Sequence, residues 1–170
     1  DPFPFVITTG DNALHTPEFV REFVDAFAAR KDDLAVAFTR AEDVRREYPE
    51  VSLAYHELKD GGVSACNLYG MRNERSLAAV RVFEGGGQFG KRHMRILKAF
   101  GLMSFIFYKL KAVTSEALMR RIGRSLGVTI DTIFLTEAFG PIDVDNPQFF
   151  EILEKALAKR RLAAEAENAA

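Results

Sequence analysis

Phe5-Val6-Ile7-Thr8-Thr9-Gly10-Asp11-Asn12-Ala13-Leu14-His15-Thr16-Pro17-Glu18 is the stretch whose reading decides the fold. The apolar run 5–7 reads as a buried strand. It stops at Thr8-Thr9-Gly10 and delivers a carboxylate, Asp11, to the strand's C-terminal tip. A helix then opens with Thr16 as N-cap and Pro17 at the first helical position. In open α/β sheets, ligands bind just outside the carboxyl ends of strands. A charged side chain presented there by a tight turn stands where a metal or phosphate ligand is held. The competing role for Asp11 is to cap the turn.

Outward from this stretch, strands and helices alternate. Residues 17–30 carry apolar side chains at Phe19, Val20, Phe23, Val24 and Phe27, a helical stripe. Residues 34–39 read as the next strand, and a short charged helix follows over 41–47. Residues 51–58 and 63–71 read as two strands of a hairpin, because Asp60-Gly61 between them is a turn signal. A helix over 74–84 runs into Gly85-Gly86-Gly87. The segment 89–127 is predicted to be mostly helical, its last helix capped by Thr114 or Ser115 and ended by Gly127. Residues 128–135 alternate as a strand does. The last helix opens near Pro147 and loses its pattern after Leu162. The expected organisation is one α/β domain over 1–162 and a frayed or disordered tail over 163–170.

Near the other end stands Gly140-Pro141-Ile142-Asp143-Val144-Asp145-Asn146-Pro147-Gln148-Phe149-Phe150-Glu151. Two carboxylates bracket an apolar residue before Asn-Pro starts the helix. In an extended segment Asp143 and Asp145 point to opposite sides, so one of them is expected at a site. The competing role is local: Asp145 or Asn146 as cap of the helix that Pro147 opens. Asn67 falls within a strand, where Asn is disfavoured. Its amide can orient a ligand or satisfy a buried hydrogen bond. Cys66 reads as core. Lys91 and Arg95 share a helix face at i and i+4, suited to an anionic group or to plain solvation. The apolar run 102–108 suits a core helix, a lid, or an interfacial segment beside that basic helix.

Together the Asp11 and Asp143–Asp145 segments resemble the nucleotidyltransferase superfamily with the GT-A-like fold. More closely, they are similar to the molybdenum-cofactor-type NTP transferases. Members commonly carry a strand ending in Asp, a hydrophobic residue and Thr-Pro-Glu, and a later line such as Asp-Val-Asp-Thr-Pro-Glu-Asp. Here Asn146 replaces the Thr and Gln148-Phe149 replace the Glu-Asp. Gly61-Gly62-Val63-Ser64-Ala65-Cys66-Asn67-Leu68-Tyr69 resembles the family's strand with a glycine-rich entry and an acceptor-facing Asn. The resemblance implies a Rossmann-like, mixed, mostly parallel sheet with helices on both faces. It implies Mg²⁺ as cofactor, with Asp11 and Asp143 or Asp145 as ligands and Asp143 favoured. It implies an acceptor-facing role for Asn67, and the residues themselves add Ser64, Lys91 and Arg95 as substrate-binding candidates. The reaction implied is NMP transfer from an NTP to a phosphorylated small molecule, with release of pyrophosphate.

The family's Gly-rich nucleotide-binding loop, with its Arg and following Lys, has no counterpart in these residues. The expectation is that the chain is the metal and acceptor portion of a longer protein. At roughly 30 residues per βαβ unit, about 60 to 100 residues would precede it. Two other readings stand beside this one. A catalytically inactive binding module of the same fold would also lack the loop. A GT-A glycosyltransferase would usually show Asp-x-Asp at the strand end, where this chain has Asp11-Asn12-Ala13.

Composition sets the outer limits. Lys plus Arg is 23 and Asp plus Glu is 24, a formal net charge of −1, which creates no global field for nucleic acid. One cysteine excludes an intramolecular disulfide and a cysteine zinc cluster, and suits a reducing cytoplasm. No apolar run reaches the ~18 residues of a membrane span, so membrane contact would be peripheral. No Ser-His-Asp hydrolase pattern is visible, and no Gly-x-Ser-x-Gly occurs.

Overall fold

The structure is a computed structural model, and it describes residues 2–83, 106 and 108–168. Five strands form one sheet: β1 (Phe5–Thr8), β2 (Leu34–Arg40), β3 (His56–Leu58), β4 (Gly61–Met71) and β5 (Ile130–Phe134). The helices are α1 (Pro17–Ala28), α2 (Ala41–Glu47), α3 (Leu77–Phe83, entered through a 3₁₀ turn), α4 (Ser115–Leu126) and α5 (Pro147–Asn168). The order across the sheet is β1-β4-β2-β5, with β3 paired to β4 beside β1.

This order corrects the expected mostly parallel sheet. β4 is antiparallel to β1, β2 and β3, and β2–β5 is the one parallel pair among the described residues. The cause is the hairpin turn at Lys59-Asp60, which sends β4 back between β1 and β2. Those two strands still run the same way, joined by the crossover helix α1. The turn is anchored from both sides. Arg40 donates to the Asp60 carbonyl, and the Asp60 carboxylate accepts from the Ser115 backbone N–H and hydroxyl at the N-terminus of α4.

Alternation along the strands divides the core in two. Ala35, Ala37, Cys66, Leu68 and Ile133 face α1 and α5, where Phe19, Phe23, Phe27, Phe149 and Ile152 cover them. Leu34, Phe38, Val63, Met71 and Ile130 face the other way, against Ala79 of α3 and Leu118 and Ile122 of α4. Helices therefore lie on both faces of the sheet, as expected. β1 is not the fully buried strand its apolar run suggests. It is an edge strand paired with β4 alone, and Ile7 is 38% exposed.

The local signals hold where they are chemically specific. The Thr16 side chain accepts from the Phe19 N–H and Pro17 opens α1. Thr114 caps α4, and Gly127 ends it at φ 72°, a left-handed position that favours glycine. β3 keeps three residues of the eight expected over 51–58. α5 runs to Asn168, where Ala, Glu and Arg are strong helix formers and Arg161 pairs with Glu165.

Candidate functional site

β4 carries a bulge that shapes the site. Val36 pairs with Tyr69 and Phe38 with Ala65, so Cys66, Asn67 and Leu68 stand opposite Ala37 alone. Two extra residues preserve the in-and-out alternation, so the core faces are kept while the strand bends. Asn67 takes up the geometry with φ 53°. Among residues with a Cβ, Asn tolerates this left-handed region best. That is the physical reason for an Asn at a position where strand propensity argues against it. β1 ends beside the bulge, with Thr8 paired to Leu68, and the chain turns through Gly10 and Asp11 over it.

Asn12 holds this turn. Buried to 7% exposure, it accepts from the Asn67 side-chain amide at 3.1 Å and from the Thr9 hydroxyl. Its own amide donates to the Ile142 carbonyl at 3.3 Å. Two more bonds join the same loops: the Val144 N–H donates to the Asp11 carbonyl, and His15 Nε2 donates to the Gly140 carbonyl at 2.8 Å. The loop after β1 is thus joined to the loop after β5 by three hydrogen bonds.

This zipper brings the acidic residues together. One carboxylate oxygen from each of Asp11, Asp143 and Asp145 lies within 4.8 Å of the other two. The expectation that Asp143 and Asp145 diverge fails because 141–146 is not a strand, so strand alternation does not apply. The capping alternatives are also resolved. Asn146 Oδ1 accepts the Phe149 N–H as cap of α5, leaving Asp145 exposed. At the first turn Asn12 makes the structural bonds, and Asp11 is exposed.

The electrostatics concentrate on Asp143. Burial raises its pKa first, then the Asp145 and Asp11 carboxylates, while a hydrogen bond from the Asn67 side chain lowers it. Asn67 thus stands between Asn12, to which its amide donates, and Asp143, whose pKa it helps to lower. His15 beside the cluster is held below the usual imidazole value, mainly by burial. With Nε2 donating to Gly140, its buried Nδ1 has no partner among the described residues.

A set of three carboxylate oxygens is a hard donor set, suited to Mg²⁺, Mn²⁺ or Ca²⁺. Oxygens on opposite sides of one Mg²⁺ stand about 4.2 Å apart, and of one Ca²⁺ about 5 Å. The three oxygens here lie within 4.8 Å of one another, so the residues could hold such an ion once the loops draw them to its coordination distance.

The remaining candidates fall elsewhere. Ser64 pairs with Thr39 in the β2–β4 ladder, before the bulge. Lys91, Arg95 and most of the 102–108 run lie outside the described residues. Cys66 is core as expected: it is buried against the Thr39 hydroxyl, and burial pushes its thiol up to about 12. Sequence reasoning missed Asn12 and His15 as parts of the site. Their only signal was adjacency to Asp11. Among the described residues, no helix is long and apolar enough to cross a membrane.

No protein-family model and no curated protein matches the chain. One solved structure does, a hypothetical transferase from Thermus thermophilus, at 24% identity and a TM-score of 0.70. The alignment covers 84% of this chain and 61% of that one, so the chain spans under two thirds of its length. What the two proteins share at this identity is the fold.

Proposed function

We propose that the protein is a Mg²⁺-dependent nucleotidyltransferase, moving NMP from an NTP to a phosphorylated small molecule and releasing pyrophosphate. The observation that carries this reading is the convergence of Asp11, Asp143 and Asp145 from two loops beyond the strand ends. The fold shared with a protein described as a transferase is consistent with it. The chain spans 61% of that structure's length, and in the proposed reaction these residues supply the metal and acceptor part.

In this reaction an acceptor phosphate oxygen attacks the α-phosphorus, the bond to the β-phosphate bridging oxygen breaks, and its electron pair leaves with pyrophosphate. Positioning and charge neutralisation supply most of the catalysis. The cation, held by Asp11, Asp143 and Asp145, would neutralise the phosphate oxygens. Asn67 orients the Asp143 carboxylate and, through Asn12, keeps the two loops in register. Ser64, Lys91 and Arg95 complete the proposal as acceptor-side residues.

The test has two stages. Calorimetry with Mg²⁺ and Mn²⁺ should show one saturable site that Asp11→Asn weakens at least tenfold. An NTP panel with phosphorylated acceptors should then release pyrophosphate only with the cation present. Cation binding without pyrophosphate release from any pair would favour a binding module of the same fold. No cation binding would overturn the reading.

A further inference from the structure

A cavity of about 400 Å³ lies on the other face of the sheet, at the opposite end of the strands from the aspartates. Its floor is Val128 and Ile130, both buried, at the entry to β5. One wall is α4, which presents Ala117, Arg120, Arg121 and Arg124. These positions are spaced i, i+3, i+4 and i+7, a single helix stripe. It lies beside the stripe that α4 buries in the core through Leu118 and Ile122. Asp32 is the one carboxylate among the lining residues, against three guanidinium groups. Glu116 pairs with Arg120 on the outer side. Arg124 has no ion pair among the described residues.

The base of the cavity is held firmly. The Asp33 carboxylate accepts from the Thr129 N–H at 2.9 Å and from its hydroxyl, and the Asp33 N–H donates back to that hydroxyl. Arg75 donates to the Gly127 carbonyl in the turn above. Gly123 lets α4 approach so closely that a Cβ there would meet the Val128 carbonyl at 2.5 Å. The volume lies in the range of small-molecule sites, which combine an apolar lining with a few placed polar groups. Guanidinium groups pair with phosphate through two parallel hydrogen bonds and lie flat on planar rings.

We propose that this cavity binds a small organic phosphate, its apolar or aromatic body on Val128 and Ile130 and its anion on the α4 arginines. The two parts require each other. The floor alone would hold no anion in register, and the arginines alone would be a solvated basic face. The position, away from the aspartates and on the other side of the sheet, makes this a second site, independent of the proposed reaction.

The test is calorimetric titration of the full chain with adenosine 5′-monophosphate in excess EDTA, which removes any contribution from a cation at the aspartates. Saturable binding is expected with a Kd below about 1 mM. The double variant Arg120→Gln/Arg124→Gln should weaken it at least tenfold. Arg161→Gln, on exposed α5, should leave it unchanged. Ala117→Leu keeps every charge and fills the cavity, so it too should weaken binding. Inorganic phosphate should bind at least tenfold more weakly than the nucleotide. The proposal is overturned by absent binding, by binding that survives both cavity variants, or by equal affinity for inorganic phosphate.

Discussion

Asp11 and Asn12 are adjacent in sequence and opposite in consequence. Asp11 is exposed and faces two other carboxylates, a placement from which it could contribute to a cation site. Asn12 is buried and bonded to Asn67 and Ile142. Asp11→Asn is expected to change unfolding free energy by less than about 0.5 kcal/mol while removing most cation binding. Asn12→Ala leaves the Ile142 carbonyl and the Asn67 amide short of a partner, and is expected to cost about 1–3 kcal/mol. Urea unfolding of the two variants beside wild type decides both. A large loss in Asp11→Asn would restore the capping role and remove the metal assignment.

Between elements, the loop 138–145 is held by close packing at one glycine. A Cβ on Gly140 would meet Phe19 at 2.7 Å, the Cys66 sulfur at 2.8 Å and the Thr39 hydroxyl at 3.0 Å. All three belong to α1, β4 and β2, which cannot retreat together. Gly140→Ala is expected to destabilise by about 1–3 kcal/mol and to weaken cation binding, because the strained loop carries Asp143. A variant with unchanged melting temperature and unchanged cation affinity would show that the loop accommodates the methyl freely. On the outer side α5 clamps the same region: Arg160 donates to the Leu14 carbonyl at 2.7 Å and lies over the Phe139 ring. Arg160→Ala should therefore lower the melting temperature by more than loss of a surface charge would; thermal melts against Arg161→Ala measure the difference.

Across the whole molecule, pH acts through half-buried imidazoles. Burial lowers the pKa of both His15 and His56, so the unfolded chain takes up protons first. Their contribution to stability is complete above about pH 6.5 and is lost as pH falls from there toward the lowered folded-state values. Asp143 works with the opposite sign in the carboxylate range, because its folded-state pKa is raised. Urea midpoints in EDTA should thus decline from pH 7.5 to 5.5, and His56→Gln should flatten the decline. An unchanged slope in that variant would mean that His56 gains no proton on unfolding in this window.

What local chemistry dictates was legible in the chain. Thr16-Pro17, Thr114, Gly127 and Asp60-Gly61 act within a few residues of themselves, so caps and turn could be read directly. The helical stripe of α1 and the alternation of β5 likewise followed from spacing. Asp11 was identifiable because a strand end is a local event. Strand direction was not, because the parallel or antiparallel choice rests on which strand β4 inserts between, and that depends on contacts far apart in sequence. The joining of three carboxylates was also a tertiary outcome: Asp11 and Asp143 meet through the hydrogen bonds of Asn12, Val144 and His15. The bulge at Asn67 completes the case. An Asn in a strand announces an exception, but only pairing with a shorter neighbour decides that the exception is a bend turned toward the aspartates.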